Sequence, residues 1–200
     1  MLSSEALAPV LLAAVRRSFV SYQQLADKAL AQLTPAEWLH VPAPGANSAA
    51  VIVQHMVGNL RSRFTDFWTT DGEKPDRQRD QEFEEPVTLA AVAQLQVQWP
   101  AAWGILWAVL DELAARPERW LHTVTIRQEP HTVLDALQRQ VAHYAYHTGQ
   151  LVLLAKHLRG EQWQSLSIPR GQSAQFNARM QAQAAQVPAN FPNPKGPLAV

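Results

Sequence analysis

The chain has 200 residues, no cysteine, and 17 Lys+Arg against 17 Asp+Glu. That length suits one domain with a sizeable core, the 47% hydrophobic content excludes general disorder, and zero net charge argues against nucleic acid or an anionic membrane as partner. The missing cysteine removes disulfides, cysteine-ligated metal and cysteine nucleophiles, and the absence of a basic leader or a run of roughly 20 apolar residues makes a cytoplasmic location the expectation.

Helical signals dominate. Leu11, Leu12, Val15, Phe19, Tyr22, Leu25 and Ala29 recur at helical spacing and predict a first helix over about 8–33. Thr34-Pro35-Ala36-Glu37 reads as a capping box with proline at the first helical position, and 41–46, with Pro42, Pro44 and Gly45, as a loop. Asn47 or Ser48 caps a second long helix to about Thr69, with Val53, Met56, Val57, Leu60, Phe64 and Phe67 as its apolar face. Residues 71–86 form a long polar loop, of a length that is often functional.

Thr88 caps a third helix to about Ala115, which Pro100 should kink or restart. Its Trp99, Trp103 and Trp107 lie on one stripe, which reads first as core and otherwise as a pocket wall or a dimer surface. Val124 and Ile126 suggest a short extended piece. Thr132 with Asp135 opens a fourth long helix that stops at Gly160. A short helix over 170–186 follows, then a loose proline-rich tail over 187–200. The fold expected is an all-α four-helix bundle over 1–186 with a polar loop between its second and third long helices.

Of seven histidines, His143 and His147 have ligand-like spacing: four apart on a helix, they share a face and can hold one ion. They can equally be two polar residues on a solvated face. A Glu-based zinc protease is excluded, because Tyr144 stands where that motif needs its glutamate. His55 lies on a stripe with Ile52, Asn59, Ser62 and Asp66, nearly opposite the apolar face of its helix. By wheel logic that stripe is solvent-facing. The alternative is a polar cavity wall, with Asn59 or Asp66 orienting the imidazole.

His55 on the second helix, together with His143-Tyr-Ala-Tyr-His147-Thr-Gly149-Gln150 on the fourth, resembles the DinB-like superfamily, which includes bacillithiol transferases and mycothiol-dependent isomerases. Thr148 replaces the usual arginine, while Gly149 and Gln150 match. Three further stretches, over 54–67, 70–74 and 163–171, resemble an uncharacterised bacterial subfamily within it.

The resemblance implies a DinB-like bundle with a metal site of His55, His143 and His147, and with Asn59 and Gln150 behind the ligands. It implies a divalent metal ion, with Zn, Ni and Fe equally suited to imidazole, and a low-molecular-weight thiol as possible co-substrate. The functions it leaves open are a transferase or hydrolase acting on a small-molecule substrate, a non-catalytic metal- or ligand-binding bundle, and a structural dimer with a vestigial site. A homodimer is the expected assembly. Asp66 and Glu73 are weak candidates for a proton acceptor or extra ligand. Arg61, Arg63, Arg77 and Arg79 could bind an anionic substrate, although pairing with Asp66, Asp71, Asp76, Asp80 and Glu82 is the better reading of a locally balanced charge. His40, His122, His131 and His157 match nothing and read as ordinary surface or loop residues.

Overall fold

The structure, a computed structural model, describes residues 4–86 and 88–185. The expected tail over 187–200 lies outside the described residues. Four long helices build the frame: α1 (Ser4–Leu30), α3 (Ala49–Phe64), α4 (Leu89–Ala115) and α5 (Val133–Arg159). A single turn, α2 (Pro35–Trp38), follows α1, and α6 (Ser173–Ala185) closes the described chain. Helix α1 packs on α5, α5 on α3, α3 on α4 and α4 on α1, which closes a ring of four. This is the all-α bundle that the periodicity predicts. Among the described residues no helix is long and apolar enough to cross a membrane.

The helix boundaries follow from orphan backbone groups at their ends. Thr34 accepts from the Glu37 backbone N–H while the Glu37 carboxylate accepts from the Thr34 N–H, a complete capping box. Ser48, Thr88 and Thr132 cap α3, α4 and α5 in the same side-chain-to-backbone way. Gly160 ends α5 at φ 51.

Two boundaries differ from expectation. Helix α3 stops at Phe64 rather than near Thr69, because Asp66 turns to φ 47 and breaks the hydrogen-bond ladder, although Phe67 still reaches the core. Helix α4 runs through Pro100 without restarting. Its flanking Trp99 and Trp103 are buried, so packing holds together what the lost N–H weakens.

The tryptophan stripe is core. Trp103 is fully buried against Phe19 and Tyr144, and the Nε1 atoms of Trp99 and Trp107 donate across to Asp27 and Gln23 of α1. Burial raises the Asp27 carboxyl pKa above its ordinary value, against the pull of the Trp99 bond.

Between α4 and α5 the chain forms a hairpin, β1 (Thr123–Ile126) antiparallel to β2 (Glu129–Thr132), with Ile126 opposite Glu129. The two turn residues, Arg127 and Gln128, sit at φ 55 and 66, a conformation usually left to Asn and Gly. The Asp71 carboxylate holds them there by accepting both backbone N–H groups at 2.8 Å. The polar loop is thus tied to the hairpin, and Gly72 N–H to the Thr125 carbonyl at 2.7 Å extends the tie.

Candidate metal centre

Wheel logic alone turns the His55 stripe of α3 to solvent, with a polar cavity wall as the alternative. The helix is buried on both faces, with His55, Asn59 and Ser62 as covered as Met56 and Leu60. The cause is the loop that follows α3. It folds back along the helix: the Gln54 amide donates to the carbonyls of Gln81, Glu82 and Glu84, and the Ser62 hydroxyl donates to the Gly72 carbonyl at 2.8 Å. A wheel drawn for one helix cannot see a partner that arrives from a later loop.

Under that cover three imidazoles converge. His55 comes from α3, and His143 and His147 from adjacent turns of α5. The Nε2 of His143 lies 3.2 Å from Nε2 of His55 and 3.1 Å from Nε2 of His147, and the three donor atoms lie within 4.8 Å of one another. Two nitrogens bound tetrahedrally to one zinc at about 2.0–2.1 Å would stand about 3.3 Å apart. The donor set therefore fits a divalent ion.

The far side of each ring fixes which nitrogen faces inward. His55 Nδ1 lies 2.8 Å from Glu82 Oε2, and a carboxylate can only accept, so His55 keeps its proton on Nδ1 and turns a bare Nε2 inward. His147 Nδ1 lies 2.8 Å from Gln150 Oε1, with the same consequence. His143 Nδ1 is buried without a partner. Burial first, and the facing imidazoles second, hold the His143 pKa down to about 3. His147 is held down to about 4, again chiefly by burial, against the Gln150 bond. Near pH 7 these two rings are neutral, the form that ligates metal. Bare lone pairs this close repel unless a proton or a cation lies between them.

From sequence Glu82 reads only as one of the acids that pair with the arginines, and its bond to His55 is not foreseen. It is the best-anchored carboxylate of the site. Arg77 grips it through Nε and Nη2, each at 2.7 Å. Burial alone would raise its pKa, but the His55 bond and Arg77 hold it below the ordinary value. It reaches His55 because position 58 is glycine: a Cβ there would stand 2.2 Å from Glu82 Oε1. A glycine in mid-helix costs about 0.5–1 kcal/mol relative to alanine, so Gly58 was the one sequence signal that something approaches this turn.

The remaining predicted residues separate. Gln150 orients His147. Asn59 lines the site but accepts from the Tyr144 hydroxyl at 3.0 Å rather than from an imidazole, and burial pushes the Tyr144 hydroxyl pKa up. Asp66 is exposed at the end of α3, outside the cavity. Glu73 is held by Arg63, Arg77 and Arg127 and is not among the residues that line the cavity over the triad. Arg63 and Arg77 are therefore paired, as the balanced charge suggested. His40, His122 and His157 are exposed, and His131 bonds Asp135; none joins the cluster.

The triad floors an open cavity of about 630 Å³. His143, Tyr146 and His147 of α5, Asn59 of α3 and Phe83 of the loop form its walls. Among the described residues no carboxylate lines it.

Residues 7–172 match the model of a family described as protein of unknown function, DUF1572. The chain belongs to this family. The matched span holds all three histidines, Gly58, Glu82 and the hairpin, and ends just before α6. No curated protein and no solved structure matches the chain.

Proposed function

We propose that the chain is a metal-dependent enzyme of the DinB-like superfamily that uses His55, His143 and His147 to hold one divalent ion, Zn, Ni or Fe, and acts on a small molecule as a transferase or hydrolase. The observation that carries this reading is the convergence of three Nε2 atoms on one point at the floor of an open cavity, with the outer nitrogens of His55 and His147 tied off. The arrangement of one histidine on α3 and two on α5 also supports the superfamily assignment.

A divalent ion at such a site supplies a Lewis acid that makes a bound water or thiol more acidic and polarises a substrate oxygen. The chain's own residues do the rest. Glu82 and Gln150 keep His55 and His147 in the ligating tautomer. Arg77 keeps Glu82 ionised and in place. Phe83, whose ring lies 4.6 Å from that of His55, packs against this imidazole and helps hold it in place. Among the described residues no Asp or Glu lines the cavity wall to serve as general base, which favours a co-substrate that brings its own acidic proton, such as a low-molecular-weight thiol. Among the described residues no fourth Asp, Glu or His completes the cluster, which favours an open catalytic site over a closed structural one.

Elemental analysis of the purified chain beside His55→Ala and His147→Ala tests the metal. About one equivalent is expected in the parent and a trace in the variants; equal trace content in all three would sink the reading. Assays of thiol transfer with several small thiols, and of ester and amide hydrolysis, then divide the two reaction classes. A metal-loaded chain inactive in all of them would favour the metal-binding alternative.

A further inference from the structure

We propose that the substrate of this site carries a carboxylate or phosphate group, and that Arg127 and Arg139 hold it beside the histidine triad; the proposal rests on the metal-site reading above and names its substrate class.

The first observation is charge. Five arginines line the cavity: Arg63, Arg77, Arg79, Arg127 and Arg139. The carboxylates behind them do not balance them. Glu73 alone serves Arg63, Arg77 and Arg127, and Glu82 is consumed by Arg77 and His55. Among the described residues the only acid paired with Arg79 is the exposed Asp80, at 3.9 Å, and its guanidinium lies over the Phe83 ring. Arg139 takes part in none of the ion pairs found among the described residues. The acid one turn before it, Asp135, is bonded to His131 instead. A chain with no net charge has thus gathered an excess of guanidinium at one cavity and kept acids off its wall.

The second observation is how Arg127 gets there. Arg127 and Gln128 are non-glycine residues at positive φ, a conformation that costs about 1–2 kcal/mol per residue. Asp71 compensates by accepting both of their backbone N–H groups; against the effect of burial, the Glu73 backbone N–H first and then those of Gln128 and Arg127 hold its pKa down to about 2. The tie carries the Arg127 side chain to the cavity wall. There Nε donates to Glu73 at 3.1 Å, and its two Nη groups make no hydrogen bond among the described residues. A guanidinium anchored through one edge presents the other as a fork for an oxyanion.

The third is register on α5. Arg139 stands one turn before His143, so residues at that spacing lie about 5–6 Å apart at Cβ. Beside it Gln140 is only 3% exposed, lines the same cavity, and its Oε1 has no partner. A buried amide oxygen left unpaired costs about 1–3 kcal/mol, which a substrate hydroxyl or amide N–H would recover. The substrate so described is a small acid with a hydrogen-bond donor near the acid group and its reacting atom about one helical turn away. This places anion recognition on Arg127 and Arg139, which the amino-acid pattern did not single out, rather than on the paired Arg63 and Arg77.

The test is calorimetric titration of the full chain, stripped of metal with a chelator, using inorganic phosphate in one arm and malonate in the other. Parallel titrations use Arg127→Gln/Arg139→Gln and, as a surface control, Arg17→Gln. Saturable binding of one probe below about 10 mM is expected, weakened about ten-fold or more in the double variant and unchanged in the control. The stronger arm tells phosphate from carboxylate. The melting temperature and metal uptake of the double variant should match the parent, which excludes misfolding. No binding of either probe by the parent, or equal weakening in the control, overturns the proposal. A chain that takes up metal but binds neither anion sinks this inference alone. A chain that takes up no metal when metal is offered, yet binds an anion through these arginines, sinks the metal reading and leaves the anion site standing.

Discussion

The two faces of α3 are equally buried and are held by different forces. On one face Met56, Leu60 and Phe64 have 0–2% exposure and pack on the bundle core; on the other His55, Asn59 and Ser62 have 3–5%, with His55 and Ser62 bonded to the 71–86 loop and Asn59 to Tyr144 of α5. The apolar face is non-directional, and its contribution scales with area, about 2 kcal/mol for a buried leucine. The polar face works only if each donor and acceptor finds its partner, because an unpaired buried group costs about 1–3 kcal/mol. Damage to the first should lower stability broadly. Damage to the second should show first in what the site can bind.

The largest effect is expected on the apolar face. Leu60→Ala removes a fully buried side chain and should cost about 2–5 kcal/mol in urea unfolding, while the folded fraction still takes up metal with parental affinity. Equal loss of affinity and stability would mean that the two faces are not separable.

Next comes Glu82→Gln. The amide oxygen can still accept from His55 Nδ1, but the negative charge that makes this imidazole a stronger ligand and that pairs with Arg77 is gone. Metal affinity should fall about 10- to 100-fold, some 1.4–2.7 kcal/mol, in competition with a chelator of known strength. Unchanged affinity would reduce Glu82 to a structural ion pair.

A pH series probes the same face without mutation. His143 and His147 have folded values near 3 and 4, against an ordinary 6.5. The unfolded chain therefore takes up protons first as pH falls. The stability they contribute to the metal-free protein is whole above about pH 6.5 and drains away as pH drops toward the folded values. Urea melts of metal-free protein at successive pH values should show this slope, and His143→Gln should flatten it. A flat parental profile between about pH 6.5 and 4.5 would contradict the burial of these rings.

The smallest effect should come from Asp71→Asn. Asp71 is held at about 2, so its contribution exists above its ordinary 3.8 and is lost as pH falls through that interval. At neutral pH the variant should lose about 1 kcal/mol, and its anion affinity should fall through misplacement of Arg127, with metal affinity intact. Parental anion affinity in this variant would show that the hairpin turn does not need its anchor.

Much of the frame was legible because its causes are local. Thr34, Ser48, Thr88, Thr132 and Gly160 all mark helix ends by chemistry that acts over three or four residues. His143 and His147 were visible for the same reason. The environment of His55 was not, since its carboxylate partner lies 27 residues away and arrives by a loop with no periodicity to read. The tight turn at Arg127 was hidden too: it carries none of the Asn-Gly chemistry that announces such turns, and depends on Asp71, 56 residues earlier, to exist.

Gly58 and Glu82 occupy a single volume, so they form one heritable unit. A related chain that acquires any side chain at the first position must shorten or surrender the acid at the second, and one that has lost the acid is free to fill the gap with a better helix former. Reading those two columns together would sort relatives into those that keep the outer brace of the histidine floor and those that have abandoned it, before any protein is made.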